Sequence, residues 1–453
     1  MFSKVLTYYK NFFSAENYRT LLIKKNIIYS LVLRGLSVAI SLILVPMTIN
    51  YVNTTQYGIW LTLSSVINWF SFFDIGLGNG LKNKLAESNA LNKLSDAKIY
   101  VSTTYAILSL ISIVVFSFFF ISAKFINWNS ILNISSTQVN NLGLIFLVIL
   151  GCFCLQFVFQ LINVVLTALH APSKVSLLLL IGQTLSLIAI FFLTKNTKGS
   201  LIYLVIILAG IPVLVQLTAS AFLYKTKYRS FAPSFSSIDL KYSKGLLTLG
   251  GAFFVIQMGQ LVLYQSDNII ITNLFGPNDV TTFNISYKLF SVVLIIFTIF
   301  INPFWSAFTD AYAKKDMAWI KQIFVKMQKA WLVTALATFL LLACSPIILH
   351  LWLKNMVIVP FSLSLVMSLY VIGSCWHMLC CFLLNGINKI KLQLYMYIVC
   401  FIINIPLAIL LGRYIGLLGI VVSNIICFAA MGLVFYIQCN KILNNSAKGV
   451  WNQ

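Results

Sequence analysis

Residues 142–168 read LGLIFLVILGCFCLQFVFQLINVVLTA, 27 consecutive positions without a charge. A helix of that length is about 40 Å long at 1.5 Å per residue, enough to cross the hydrocarbon of a bilayer. Its polar members, Gln156, Gln160, Asn163 and Thr167, recur at helical spacing and mark one wet or buried face. Outward from it the same texture repeats. Apolar stretches fall at 27–51, 57–81, 99–123, 174–194, 200–224, 245–275, 281–308, 330–353, 360–385, 391–411 and 415–438, which makes twelve spans with 142–168. Composition agrees: 60% of the 453 residues are hydrophobic and 9% are charged, and the mean hydropathy is +0.95. A soluble domain carries about a quarter charged residues, so a soluble enzyme, a disordered chain and a secreted disulfide scaffold are excluded. The fold class is an all-α, multi-pass integral membrane protein.

The net charge of +22, from 31 Lys and Arg against 9 Asp and Glu, invites a nucleic-acid reading. Its distribution gives another. With the N-terminus inside, 24 basic residues fall on inside segments, five fall on outside loops, and Arg34 and Lys288 lie within spans. That is the positive-inside bias, and it puts both termini in the cytoplasm with no role for nucleic acid. No cleavable leader is expected. Phe2, Val5, Leu6, Tyr9, Phe12 and Phe13 fall at helical spacing among basic residues, which suggests that 1–26 is a basic amphipathic segment on the membrane surface. Nine cysteines in apolar stretches read as free thiols, and neither Cys152/Cys154 nor Cys380/Cys381 has a second pair at zinc spacing, so no metal site is expected.

The two halves echo each other. Glu87 to Asp310 and Lys98 to Lys321 are both offsets of 223, and each acidic residue ends an apolar helix before a short basic loop. Six plus six spans in one orientation make a parallel repeat, which places a substrate site between halves. The expected division is a first lobe over 27–224, a cytoplasmic linker over 225–244, a second lobe over 245–438 and a tail over 439–453.

Polar stripes support a central polar cavity. They run through Ser30, Arg34, Ser37, Ser41 and Thr48; through Ser64, Asn68, Ser71 and Asp74; through Gln257, Gln260, Tyr264 and Asp267; through Asn284, Lys288, Ser291, Thr298 and Asn302; and through Ser374, His377, Cys381 and Asn385. Gln160 and Asn163 belong to the stripe of the opening stretch. Spans five, six, eleven and twelve are more uniformly apolar and read as peripheral. Arg34, Asp74, Asp267 and Lys288 are charges inside spans, costing about 2.5–3.5 kcal/mol each near the bilayer centre. They need partners or water, and two roles stand open: ion pairing of Arg34 with Asp74 or Asp267, or binding of substrate and of a coupling H⁺ or Na⁺. Asp74-Ile75-Gly76-Leu77-Gly78-Asn79-Gly80 is glycine-rich but follows a helix and lacks the Gly-Lys-Ser/Thr of a phosphate loop. No nucleophile–base pair or paired carboxylates are identifiable, so no enzyme is expected and no cofactor.

Tyr57-Gly58-Ile59-Trp60, Trp69, the run Asp74–Asn83 and Leu85-Ala86-Glu87 resemble the first-lobe signature of Wzx-type polysaccharide flippases. These belong to the multidrug/oligosaccharidyl-lipid/polysaccharide (MOP) exporter superfamily. The resemblance implies a V-shaped pair of six-helix lobes around a cationic cavity in the bacterial inner membrane. It implies an undecaprenyl-pyrophosphate-linked oligosaccharide as substrate, of O-antigen, capsule or exopolysaccharide type, moved by alternating access. Arg34 and Lys288 are the matching cations for the pyrophosphate. Membrane lipids and other polysaccharide-assembly proteins are the implied partners. A cation-coupled multidrug exporter of the same superfamily and a membrane polysaccharide polymerase or ligase are the alternatives. Arg34 and Lys288 argue against the first, and the short outside loop 124–141 against the second.

Overall fold

Long helices follow one another with few breaks, because each apolar run must satisfy its own backbone in lipid. The structure, a computed structural model, describes residues 18–70, 76–123, 125–131, 141–169, 171–243, 265–354 and 356–453. The first half holds α1 (Tyr18–Val52), α2 (Thr54–Asn68), α3 (Leu77–Ala90), α4 (Leu94–Ser122), the single turn α5 (Trp128–Ile131), α6 (Leu142–Phe159), α7 (Leu161–Ala168), α8 (Pro172–Asn196) and α9 (Leu201–Lys225). The second half begins with a helical stretch over 265–274. It continues with α10 (Pro277–Ala313), α11 (Met317–Leu353), α12 (Phe361–Gly386), α13 (Lys391–Ile415) and α14 (Leu417–Leu443). No strand occurs among the described residues, and ten helices among them are long and apolar enough to span a membrane.

Two expected spans differ from a continuous rod. The span expected over 57–81 is two helices: α2 ends at Asn68, and α3 starts after Gly76, whose φ of 77° is left-handed. The opening stretch 142–168 breaks once, at Gln160, into α6 and α7. Most of the span expected over 245–275, with Gln257, Gln260 and Tyr264, lies outside the described residues, as do residues 1–17 of the expected surface helix. From Tyr18 the chain runs unbroken into α1.

Helix starts follow local chemistry. Asn53, at φ 93°, accepts from the Gln56 amide at 2.9 Å and caps α2. Pro172 occupies the first turn of α8, where its missing N–H costs nothing. Asp316 accepts from the Trp319 amide at 3.0 Å and caps α11.

Packing is mostly within each half. In the first, α1 lies on α8, α8 on α9, α9 on α6, α6 on α4, and α4 on α3. In the second, α12 is central, touching α10, α11 and α14, while α13 lies on α14. The most apolar window of α12 is 56% buried and that of α14 is 50%, against 22% for α13. The twelfth span is therefore a core helix, contrary to its peripheral expectation. Small residues explain it: a Cβ on Gly432 would lie 2.7 Å from the Trp376 ring, so only glycine lets α14 sit this close to α12. The segment after α9 is ordered against α4. The Ser234 amide donates to Ser102 Oγ at 3.0 Å, and the Asp239 amide donates to Thr103 Oγ1 at 3.1 Å. Tyr242 donates to Asp96 at 3.5 Å, and that carboxylate raises the Tyr242 phenol above its ordinary range.

Candidate functional site

The halves meet chiefly where α2 packs on α10 and on the stretch 265–274. Thr54 Oγ1 and Thr55 Oγ1 both donate to Asn278 Oδ1 at 2.9 Å, and Thr281 Oγ1 donates to the Thr54 carbonyl at 2.7 Å. Thr55 and Asn278 are 223 residues apart, the offset read from the sequence. A Cβ on Gly58 would overlap the Pro277 carbonyl, so this glycine permits backbone-to-backbone approach. One turn further along, the Thr62 and Thr272 hydroxyls bond each other, and Asn268 Nδ2 donates to Ser65 Oγ at 2.7 Å. Side chains from both halves thus hydrogen-bond in sequence along one face of α2.

Below this seam, α1, α2 and α10 enclose a cavity of about 330 Å³. Its polar lining is Ser41, Tyr57, Asn284, Tyr287, Lys288 and Ser291; Val38, Leu42 and Ile295 are among its apolar walls. Lys288 is half-buried and forms no ion pair with a carboxylate of the described residues, where the ion pair found is Lys84–Glu87 at 2.8 Å. Arg34 does not line this cavity. It is exposed on α1, seven residues before Ser41, about 10 Å along the helix.

A second, smaller cavity of about 150 Å³ lies within the second half. It is lined by Gln265, Asp267, Asn268, Asn284, Tyr287 and Asn424, among others. Asp267 is 4% exposed. Asn424 Nδ2 donates to its Oδ2 at 2.7 Å, while its Oδ1 has no partner among the described residues. Asn404 Nδ2 in turn donates to Asn424 Oδ1 at 2.8 Å. A lone buried carboxylate ringed by neutral amides is a set of hard oxygen donors with one negative charge, suited to a monovalent cation or a proton. Arg34 is not its counter-ion.

The other sequence candidates separate. Asn284 lines both cavities. Asn68 is exposed at the end of α2. Gln160 and Asn163 sit at and after the α6–α7 break within the first half, where Asn163 Oδ1 is buried without a partner. His377 is 6% exposed inside the second half, with Nε2 3.3 Å from both the Tyr397 hydroxyl and Cys381 Sγ and its ring against Phe428. It lines neither cavity. Asp74, Gln257, Gln260 and Tyr264 lie outside the described residues. Sequence reasoning missed Thr62, Ser65, Asn268, Asn404 and Asn424. The i, i+3 pair Thr62/Ser65 and the i, i+4 pair Asn268/Thr272 were visible signals of a polar contact face.

Comparisons with known proteins converge. Residues 23–307 match the family model described as "Polysaccharide biosynthesis protein", and residues 252–410 match the model MatE. A "Putative O-antigen transporter" of Salmonella typhi is 22% identical over 287 residues, covering 62% of this chain and 63% of that protein. The alignment thus spans less than two thirds of that relative's length. A "Putative O-antigen export protein" of Yersinia pseudotuberculosis is 22% identical over 376 residues, covering 79% and 82%. Among solved structures, an inward-facing multidrug resistance MATE family transporter of the MOP superfamily aligns with a TM-score of 0.75 at 12% identity, over 93% of this chain and 98% of that one. A Vibrio cholerae MATE transporter aligns with a TM-score of 0.65 at 14% identity, over 95% and 99%. These likenesses show the fold. With a family model matched over more than half of its length, the chain belongs to the polysaccharide biosynthesis protein family.

Proposed function

We propose that this protein is a transporter, not an enzyme, that flips polyprenyl-pyrophosphate-linked oligosaccharide units across the bacterial cytoplasmic membrane. The observation that carries the reading is Lys288, a half-buried cation without a described carboxylate partner, in a hydroxyl- and amide-lined cavity between the two halves. Sugars and a pyrophosphate cannot cross hydrocarbon uncovered, since each unsatisfied polar group costs several kcal/mol. A groove with a basic anchor hides the headgroup while the polyprenyl tail stays in lipid. Lysine supplies charge-assisted hydrogen bonds to phosphate oxygens, and Ser41, Asn284 and Ser291 suit sugar hydroxyls. Arg34, exposed about 10 Å away along α1 on the N-terminal side of the cavity, is a second cation for an anionic headgroup coming from the cytoplasmic leaflet. A site for cationic drugs would instead place a carboxylate in this lining.

The names of the relatives, and the match of this chain to the polysaccharide biosynthesis family model, support the substrate class. The hydrogen-bonded seam on one side of the cavity supports alternating access, with the lobes parting there to release the headgroup. The Asp267 cavity is the candidate site of the coupling cation, read as Na⁺ because the remaining ligands are neutral amide oxygens. Lipid analysis of a deletion strain tests the function. Single lipid-linked repeat units should accumulate facing the cytoplasm; normal export of polymer in that strain would refute the reading.

A further inference from the structure

The interlobe seam and the Asp267 cavity share one side chain, Asn268. Its Nδ2 donates across the seam to Ser65 Oγ at 2.7 Å, while its Oδ1 accepts from Asn284 Nδ2 at 2.7 Å and faces the cavity. It is 8% exposed. We propose that Asn268 is the coupling residue between cation site and gate: a cation in the Asp267 cavity turns its amide and releases the seam. This rests on the cation reading given above.

Oδ1 and Nδ2 belong to one rigid plane, so redirecting either moves both. A cation held by Asp267 Oδ1 needs several further oxygens. Besides Asn424 Oδ1, which accepts from Asn404, the side-chain amide oxygens of the lining are those of Gln265, Asn268 and Asn284. Recruiting Asn268 Oδ1 displaces the Asn284 donor and swings Nδ2 off Ser65. Cation and closed seam therefore compete for one amide. The disturbance reaches the rest of the seam through Thr272, whose Oγ1 donates to the Asn268 carbonyl at 2.7 Å and also bonds Thr62. Thr54 and Thr55 against Asn278 form the far end. By reciprocity, closing the seam must weaken cation binding by the factor with which the cation weakens closure.

The test uses the full chain with Cys344, the exposed native thiol, replaced by Ser, and with Thr55→Cys and Asn278→Cys. The rate of cross-linking by a short bifunctional thiosulfonate reads seam closure in Na⁺ and in choline. Na⁺ binding is read separately as a Na⁺-dependent rise in Tm. Na⁺ should slow cross-linking about threefold to tenfold, the scale of one side-chain hydrogen bond within a membrane. Asp267→Asn should hold the choline rate in both salts. Ser65→Ala, which removes the partner from the opposite half without touching Asn268, should cross-link slowly in both. A Na⁺-dependent Tm without a cross-linking response would overturn the coupling role and leave the cation site standing. A full Na⁺ response in Ser65→Ala would overturn it as well. No Na⁺-dependent Tm would overturn both.

Discussion

Replacing Lys288 by Gln separates substrate binding from structure by sign. The ammonium is half-buried in the interlobe cavity, with no ion pair to a described carboxylate to offset its desolvation. A charge near the bilayer centre costs about 2.5–3.5 kcal/mol on insertion scales, and part of that is relieved when the charge is removed. Gln keeps most of the length and a hydrogen-bonding tip, so Tm should hold or rise. Transport should move the other way. Losing one charge-assisted bond to a phosphate oxygen costs about 1.5–3 kcal/mol, which is about ten- to a hundredfold in apparent affinity. The assay is displacement of a fluorescent polyprenyl pyrophosphate from detergent-purified protein, run beside thermal unfolding of the same preparation. A Lys288→Gln protein that binds within twofold of the parent would refute the anchor. One that loses Tm along with affinity would make Lys288 structural.

Three further outcomes follow from the geometry. Gly58→Val drives a side chain into the Pro277 carbonyl, so the seam should stay open; a thiol at Asn278→Cys should then label faster from outside, and unchanged labelling would contradict the close approach. Asp267→Asn should abolish flipping driven by an imposed Na⁺ gradient while protein abundance in the membrane is kept; normal gradient dependence would remove the carboxylate from coupling. Thr103→Val removes a hydroxyl that accepts from the Asp239 amide and donates to its carbonyl at 3.2 Å, costing about 1–3 kcal/mol locally, so trypsin should cut sooner at Arg229 or Lys241; an unchanged cleavage rate would show that this segment is held by other contacts.

Much of the architecture is readable from the apolar runs because lipid leaves few options: a stretch such as 142–168 must be helical to satisfy its backbone. The site was only partly readable, for two physical reasons. Helical periodicity finds a polar face without saying what faces it. On α2 the residues that meet the other half include Thr54, Thr55, Gly58, Thr62 and Ser65, whereas the stripe through Ser64 and Asn68 ends on an exposed side chain. Second, a lone amide barely changes the hydropathy of a long apolar run. Asn404 and Asn424 carry no hydropathy signal for that reason, yet both are fully buried and form the chain of amides that holds Asp267. Glycine was ambiguous in the same way: Gly432 gives no polar signal, but it admits α14 to the core.

On the function proposed above, a lipid-linked oligosaccharide moves through the cavity between the two halves. The most direct measurement is translocation in proteoliposomes loaded with a polyprenyl-pyrophosphate oligosaccharide, scored by the fraction of headgroups open to an added lectin or glycosidase. Exchange should depend on the protein, stop when Thr55→Cys and Asn278→Cys are cross-linked and return on reduction. Headgroup exchange no faster than in empty liposomes, or exchange that persists in the cross-linked protein, would contradict it.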